Sequence, residues 1–286
     1  MSRGLHDDVR DQDRGRDIER PTEVQACNHT RDTDFFDRHL SRPRGATLER
    51  VEGRECPHLL DETDMRTLAT IGAFRVVPIE DLDEPGDLRR LSNEGLINNE
   101  TLTDIAGSQR IMSLTSEGKA VLEANRSASG DGRDQAFYAG VVKPRELAHD
   151  ALVFRAFKEE QARIEAHGGR VTRVVLDYAL KRDYQRFLNR DGRPDDATLE
   201  SDRRAFAEAH DLHIVRGHLE LPDLRIEYET EDGRLENRDV EIVTEHYSRG
   251  QISEKTGAGF ACYRAGGSHT RTGGTPFDPR HLTRLS

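Results

Sequence analysis

Long apolar runs are missing from this 286-residue chain, and none approaches the roughly 20 residues that a membrane helix needs. Cysteine is scarce. Cys27, Cys56 and Cys262 are scattered, so no disulfide framework is expected. Cys56 and His58 lie close together, but a zinc site needs about four ligands, and a structural zinc site is not expected. The opening stretch, MSRGLHDDVRDQDRGRD, lacks the apolar core of a signal peptide, so a cytoplasmic protein is expected. No Gly-x-Gly-x-x-Gly, P-loop or nucleophile-elbow serine occurs, which leaves nucleotide hydrolysis and serine hydrolysis without support.

Charge is plentiful. The charged and hydrophobic fractions are both 34%, which predicts a soluble, surface-rich chain with a disordered part. The length leaves room for roughly two domains. A net charge of −11 argues against a chain-wide nucleic-acid surface, although a local basic patch remains compatible with it. Residues 1–55 alternate Arg and Asp with few apolar positions and are expected to be weakly ordered. Within them Phe35, Phe36 and Leu40 can form a short docking helix, and Ser41-Arg42-Pro43-Arg44-Gly45 reads as a solvated linker.

Residues 56–127 read as a unit. Asp61 or Thr63 can cap a helix bearing Met65, Leu68 and Ile71. A short extended piece follows, then a helix from Asp87 that stops at Gly95. Strands near 96–102 and 110–114 lead to a helix capped by Thr115. The run Leu88-Arg89-Arg90-Leu91-Ser92-Asn93-Glu94-Gly95-Leu96-Ile97, followed by Leu114-Thr115-Ser116-Glu117-Gly118-Lys119, resembles a winged-helix DNA-binding domain of the MarR type. The resemblance implies phosphate contacts from Arg89, Arg90, Arg110 and Lys119. Against them stand Asp81, Asp83, Glu84, Asp87, Glu94, Glu100 and Asp104, so a dimerisation or protein-docking module is the alternative. A homodimer is compatible with either.

Residues 128–144 read as a linker and 145–286 as a third unit. A long helix to about His167 precedes a strand over 171–178. A basic stretch follows, with Lys181, Arg182, Arg186 and Arg190 interleaved by Tyr184 and Phe187. It suits either a nucleic-acid backbone or a solvated helix face. A further amphipathic helix spans about 197–212. The most informative stretch is 219–264. Leu224, Ile226 and Tyr228 alternate with charged residues, Asp232-Gly233 makes a turn, and Val240, Ile242 and Val243 form a second strand. Ser248 and Gln251 form a capping box for the next helix. Asp223 precedes the first strand, while Asp239 and Glu241 lie two apart on the second. Three carboxylates on adjacent strands can hold a hard cation such as magnesium.

That layout resembles the PD-(D/E)xK nuclease fold, with Pro222-Asp223 at the strand start. The usual lysine is absent, because Val243 lies two residues after Glu241; Lys255 on the following helix is the candidate replacement. The order of units, together with Ala148-His149-Asp150, Pro222-Asp223, Val240-Glu241-Ile242-Val243-Thr244-Glu245, Lys255 and Tyr263, resembles the replication-relaxation family of plasmid and mobile-element proteins. The expected fold class is therefore α+β / α/β, a winged-helix domain followed by a mixed-sheet, restriction-endonuclease-like domain. The resemblance implies a DNA-associated accessory protein of a mobile element without catalytic activity and without a cofactor. It would work beside other mobilisation or replication proteins. The alternatives are a magnesium-dependent deoxyribonuclease using Asp223, Asp239, Glu241 and Lys255, with His149 as metal ligand or general base, and a protein-interaction scaffold or transcriptional regulator. His246 can reach the same pocket or face solvent, and His213 and His218 are expected at the surface.

Overall fold

The computed structural model describes residues 34–104, 107–127, 133–140, 146–190, 196–244, 247–265 and 282–285. It begins with a 3-10 turn, Phe35–Arg38, capped by Asp34, whose carboxylate accepts the Phe36 N–H. Phe35, Phe36, Leu40 and Val51 are buried, so weak order is not the condition of residues 34–55. Residues 1–33, including Cys27, lie outside the described residues.

Strands β1 (Glu49–Val51) and β2 (His58–Leu60) pair antiparallel. Helix α1 (Glu62–Phe74) starts at a capping box in which Asp61 accepts the Asp64 N–H and the Asp64 carboxylate accepts the Asp61 N–H. Its apolar residues Met65, Leu68, Ile71 and Phe74 recur at helical spacing and are all buried. Strand β3 (Val77–Pro78) and a 3-10 turn lead to α2 (Leu88–Asn93). That helix ends because Gly95 adopts φ +70°, and the Leu96 N–H returns to the Leu91 carbonyl at 2.9 Å. Strands β4 (Ile97–Asp104) and β5 (Gly107–Leu114) form a hairpin, with β3 on the other side of β5. Helix α3 (Ser116–Ala124), capped by Thr115, closes the unit. A Cβ at Gly118 would sit 2.1 Å from the Leu96 carbonyl oxygen, so only glycine lets α3 approach the hairpin this closely.

The remaining elements are α4 (Leu147–Ala166), β6 (Arg170–Leu176), α5 (Asp177–Leu188), α6 (Asp196–Ala209), β7 (Ile214–Val215), β8 (His218–Leu219), β9 (Leu224–Glu229), β10 (Leu235–Val243), α7 (Arg249–Gly257), β11 (Ala261–Ala265) and β12 (Leu282–Leu285). Five of these strands make one sheet in the order β12-β11-β10-β9-β6. Only β10 and β11 are parallel neighbours. The chain is thus mixed α+β.

Strand alternation separates the two faces of this sheet. Leu224, Ile226, Val240, Ile242 and Tyr263 belong to the same core as α4. Arg225, Asp239, Glu241 and Cys262 point to the other face, where α5, α6 and α7 lie. That core runs without a break into the first unit. Phe74 of α1 has its ring centroid 5.0 Å from Phe154 and 4.6 Å from Phe157, both on α4. Part of the stretch read as a linker is built in as well. The buried Gln135 side chain accepts the Val174 N–H and donates to the Val174 carbonyl, and Phe137 is buried. Residues 128–132 and 141–145 lie outside the described residues. Among the described residues no helix is long and apolar enough to cross a membrane.

Candidate functional site

Where β9 begins beside β10, one carboxylate cluster gathers. Asp223 sits just ahead of β9. Its side chain accepts the Ile242 N–H of β10 at 2.8 Å, and its carbonyl accepts the Asp177 N–H at the start of α5 at 3.0 Å. Two positioned backbone contacts therefore hold it. Glu241 of β10 is almost wholly buried, and Tyr247 donates to its Oε1 at 2.6 Å. Lys255 reaches in from α7. Its Nζ lies 3.3 Å from Glu241 Oε2 and 2.8 Å from Glu220. Glu241 Oε2 accepts no hydrogen bond, so its link to Lys255 is a charge contact. The Ser248–Gln251 capping box starts α7 as expected and so fixes where Lys255 emerges.

From the other side α4 supplies His149. Its Nε2 lies 3.3 Å from Asp223 Oδ2 and its Nδ1 3.5 Å from Asp150 Oδ1. Burial works against a charged ring here, but the hydrogen bonds to Asp150 and Asp223 outweigh it and push His149 up to about 10. At neutral pH it is an imidazolium between two carboxylates. A free general base or a neutral metal ligand is a different state of this ring. Burial, followed by the neighbouring Asp223 charge, raises Glu241 to about 7 despite Lys255 and Tyr247. Burial also disfavours the Lys255 ammonium, yet Glu241 and Glu220 more than compensate and raise it above the usual lysine range.

The expected set of three carboxylates does not assemble. Asp239 shares a sheet face with Glu241, but it is committed to a two-pronged pair with Arg225, with Nε–Oδ1 and Nη2–Oδ2 both at 2.7 Å. Arg225 is itself buried and also donates to the carbonyls of His210 and Asp211. Asp239 thus neutralises a buried guanidinium. Among the described residues no group of three or more His, Cys, Asp or Glu side chains is arranged to hold a metal ion. The donors present therefore do not fit the three-carboxylate magnesium site expected from Asp223, Asp239 and Glu241. Arg225 is a residue that pattern and spacing alone do not single out. Its signal lies in the hairpin register, which sets Arg225 directly across from Asp239.

The expected DNA contacts divide. Arg89 and Arg110 are exposed and have no ion-pair partner among the described residues; Lys119 is half-buried. Arg90 corrects the expectation. It turns inward, donating to the Leu59 carbonyl and to the fully buried Asp64, and so ties α2 to α1 and β2. The basic face of α5 is partly paired within the helix: Lys181 lies 2.6 Å from Asp177, and Arg182 and Arg186 share the single Asp183 at 3.2 and 3.5 Å. Of its aromatics, Tyr178 is half exposed, whereas the two that interleave the basic residues are packed. Tyr184 and Phe187 pack on Phe206 of α6, with centroids 5.0 and 5.4 Å away.

Of the remaining candidates, His213 and His218 are exposed, and Glu245 and His246 lie outside the described residues. His58 bridges Glu94 and Glu117 at 3.0 and 3.3 Å, with the Cys56 sulfur 3.9 Å away. Comparison of the chain with protein-family models, with curated proteins and with solved structures gave no match.

Proposed function

We propose that the protein is a DNA-associated accessory factor of a mobile element, with a winged-helix unit at 56–127 and a nuclease-like unit at 145–286 whose carboxylate cluster does not cleave. The observation that carries the non-catalytic part is the pairing of the acids. Asp239 is held by Arg225, and Asp223 is held by His149 and the Ile242 N–H, so two of the three acids in the expected cation site already serve internal partners. The winged-helix reading is supported by the order helix, short strand, helix, hairpin, helix, and by exposed Arg89 and Arg110 on its second helix and hairpin. The nuclease-like reading is supported by the order of α4, β6, β9, β10, α7 and β11, with α5 and α6 inserted after the first strand.

The test is binding to labelled duplex and single-stranded DNA across a salt series, with and without magnesium, the products being run on a denaturing gel. Salt-sensitive binding without strand shortening is expected. Arg89→Ala and Arg110→Ala should each weaken binding and reduce the slope of log affinity against log salt by about 0.9 for each phosphate that is no longer neutralised. No binding even at low salt would remove the DNA reading and favour a protein scaffold. A second reading, a magnesium-dependent deoxyribonuclease, is favoured by Lys255 lying 3.3 Å from Glu241 beside Asp223. Magnesium-dependent cleavage that disappears in folded Asp223→Ala would establish it.

A further inference from the structure

On the α4 face of the five-stranded sheet, away from the Asp223 cluster, lies a cavity of about 380 Å³. It is bounded by the last turns of α4 and by β9, β10 and β12. At its base Glu160 is 1% exposed and accepts the Tyr263 hydroxyl at 2.7 Å. Three arginines from three separate elements converge on this one carboxylate. Their Nε atoms lie 3.8 Å (Arg163), 3.5 Å (Arg238) and 3.3 Å (Arg284) from it. One guanidinium is enough to neutralise a buried carboxylate, so the wall carries cationic charge that Glu160 does not need. Glu160 is the only acid within ion-pair distance of Arg238 or Arg284 among the described residues. Arg238 Nε is buried without a hydrogen bond.

Other acids offset part of this charge, and among the side chains that line the cavity three arginines face two carboxylates, Glu160 and Glu236. Glu159 lies 3.6 Å from Arg163, and Glu236 on the cavity wall accepts the Tyr228 hydroxyl at 2.8 Å. The C-terminal end of α4 adds a partial negative charge, but it is screened and falls off within a turn.

We propose that this cavity binds a phosphate group, with Glu160 and Tyr263 acting from beneath to hold the arginines in place. Planar guanidinium forks match tetrahedral phosphate oxygens, and several of them converging in a concave site distinguish it from a lone surface pair. The volume falls in the range of small-molecule sites and leaves space beyond the phosphate itself. The phosphate belongs either to a small phosphate ester or to a nucleic-acid backbone. The site does not depend on DNA association through residues 56–127.

The experiment is calorimetric titration of the full chain with pyrophosphate and, separately, with a short single-stranded oligonucleotide. Arg238→Ala, Arg284→Ala and the milder Arg238→Gln are titrated alongside, with circular dichroism confirming that each is folded. Saturable pyrophosphate binding, weakened at least tenfold in each folded variant and unchanged in Arg89→Ala, is the expected result and assigns a small phosphate ester. Oligonucleotide binding alone with the same losses also supports the site and assigns the phosphate to a nucleic acid. Absence of saturable binding to either probe, or binding that Arg238→Gln and Arg284→Ala leave unchanged, overturns it.

Discussion

On one face of the five-stranded sheet, buried Glu241 sits among further acids, Asp223 and Glu220, and meets Lys255 without a hydrogen bond at Oε2. On the other face, equally buried Glu160 has one hydroxyl donor and three arginines around it. The residue type and the depth are the same, but the charge ratio is reversed. The first centre is crowded with negative charge and responds by holding protons, as the raised Glu241 and His149 record. In the second, three arginines face two lining carboxylates, Glu160 and Glu236, which suits an incoming anion. A buried carboxylate therefore identifies no function alone; the cations around it set the sign of what it can bind.

The largest effect should come from the pair that resembles neither centre. Arg225 and Asp239 are both nearly buried and fully hydrogen-bonded, so Arg225→Ala leaves a carboxylate without its partner and frees two carbonyls. A loss of about 3–5 kcal/mol is expected in urea unfolding. Lys255→Ala at about pH 6 should cost clearly less, because Glu241 can take up a proton once its cationic partner is gone. Equal losses would mean that Glu241 stays ionised without Lys255. Next in size is Glu160→Gln. The amide still accepts from Tyr263 but no longer neutralises three guanidiniums, and a loss of about 1–3 kcal/mol is expected, smaller at high salt. No loss would show that Glu160 does not offset these guanidinium charges.

How far these centres are legible in the sequence depends on how local their determinants are. The β9–β10 hairpin, its Asp232-Gly233 turn, the Ser248–Gln251 cap and the Gly95 stop all follow from residues a few positions apart, and the structure has each of them. Asp223, Glu241 and Lys255 are brought together because those local devices aim them there. Sequence patterns fail where long-range geometry decides. Arg90 reads as a phosphate contact, but burial of Asp64 gives it an internal partner. Asp239 reads as a metal ligand until the hairpin register pairs it with Arg225. The Glu160 centre joins α4 to β10, β11 and β12, up to 124 positions away, and no spacing rule links Glu160 to Arg284. Continuity of the core rests on Phe74 meeting Phe154 and Phe157 across a stretch that reads as a linker.

Two pH-dependent effects sharpen the acidic side of the comparison. Folded Glu241 holds its proton up to about pH 7, whereas unfolded Glu241 releases it near 4.5. The folded chain binds the extra proton between those values, so this residue's contribution to stability is full below 4.5 and is lost as pH rises towards 7. Glu241→Gln should therefore lose less stability than the wild type between about pH 5 and pH 7.5, measured by urea unfolding at both. A parallel decline in the two proteins would place the charge elsewhere.

His149 has the same sign over a different window. Its folded value is raised from 6.5 to about 10, so its contribution is full below 6.5 and lost as pH rises through about 10. Its ring should stay protonated at about pH 8 by NMR, and Asp223→Asn should lower the midpoint because one of its two carboxylate partners is gone. A wild-type midpoint near 6.5 would mean that the imidazole is neutral and free at physiological pH. Asp223 would then be open to another cation, and the case for cleavage would be stronger than the case for a closed, charge-paired cluster.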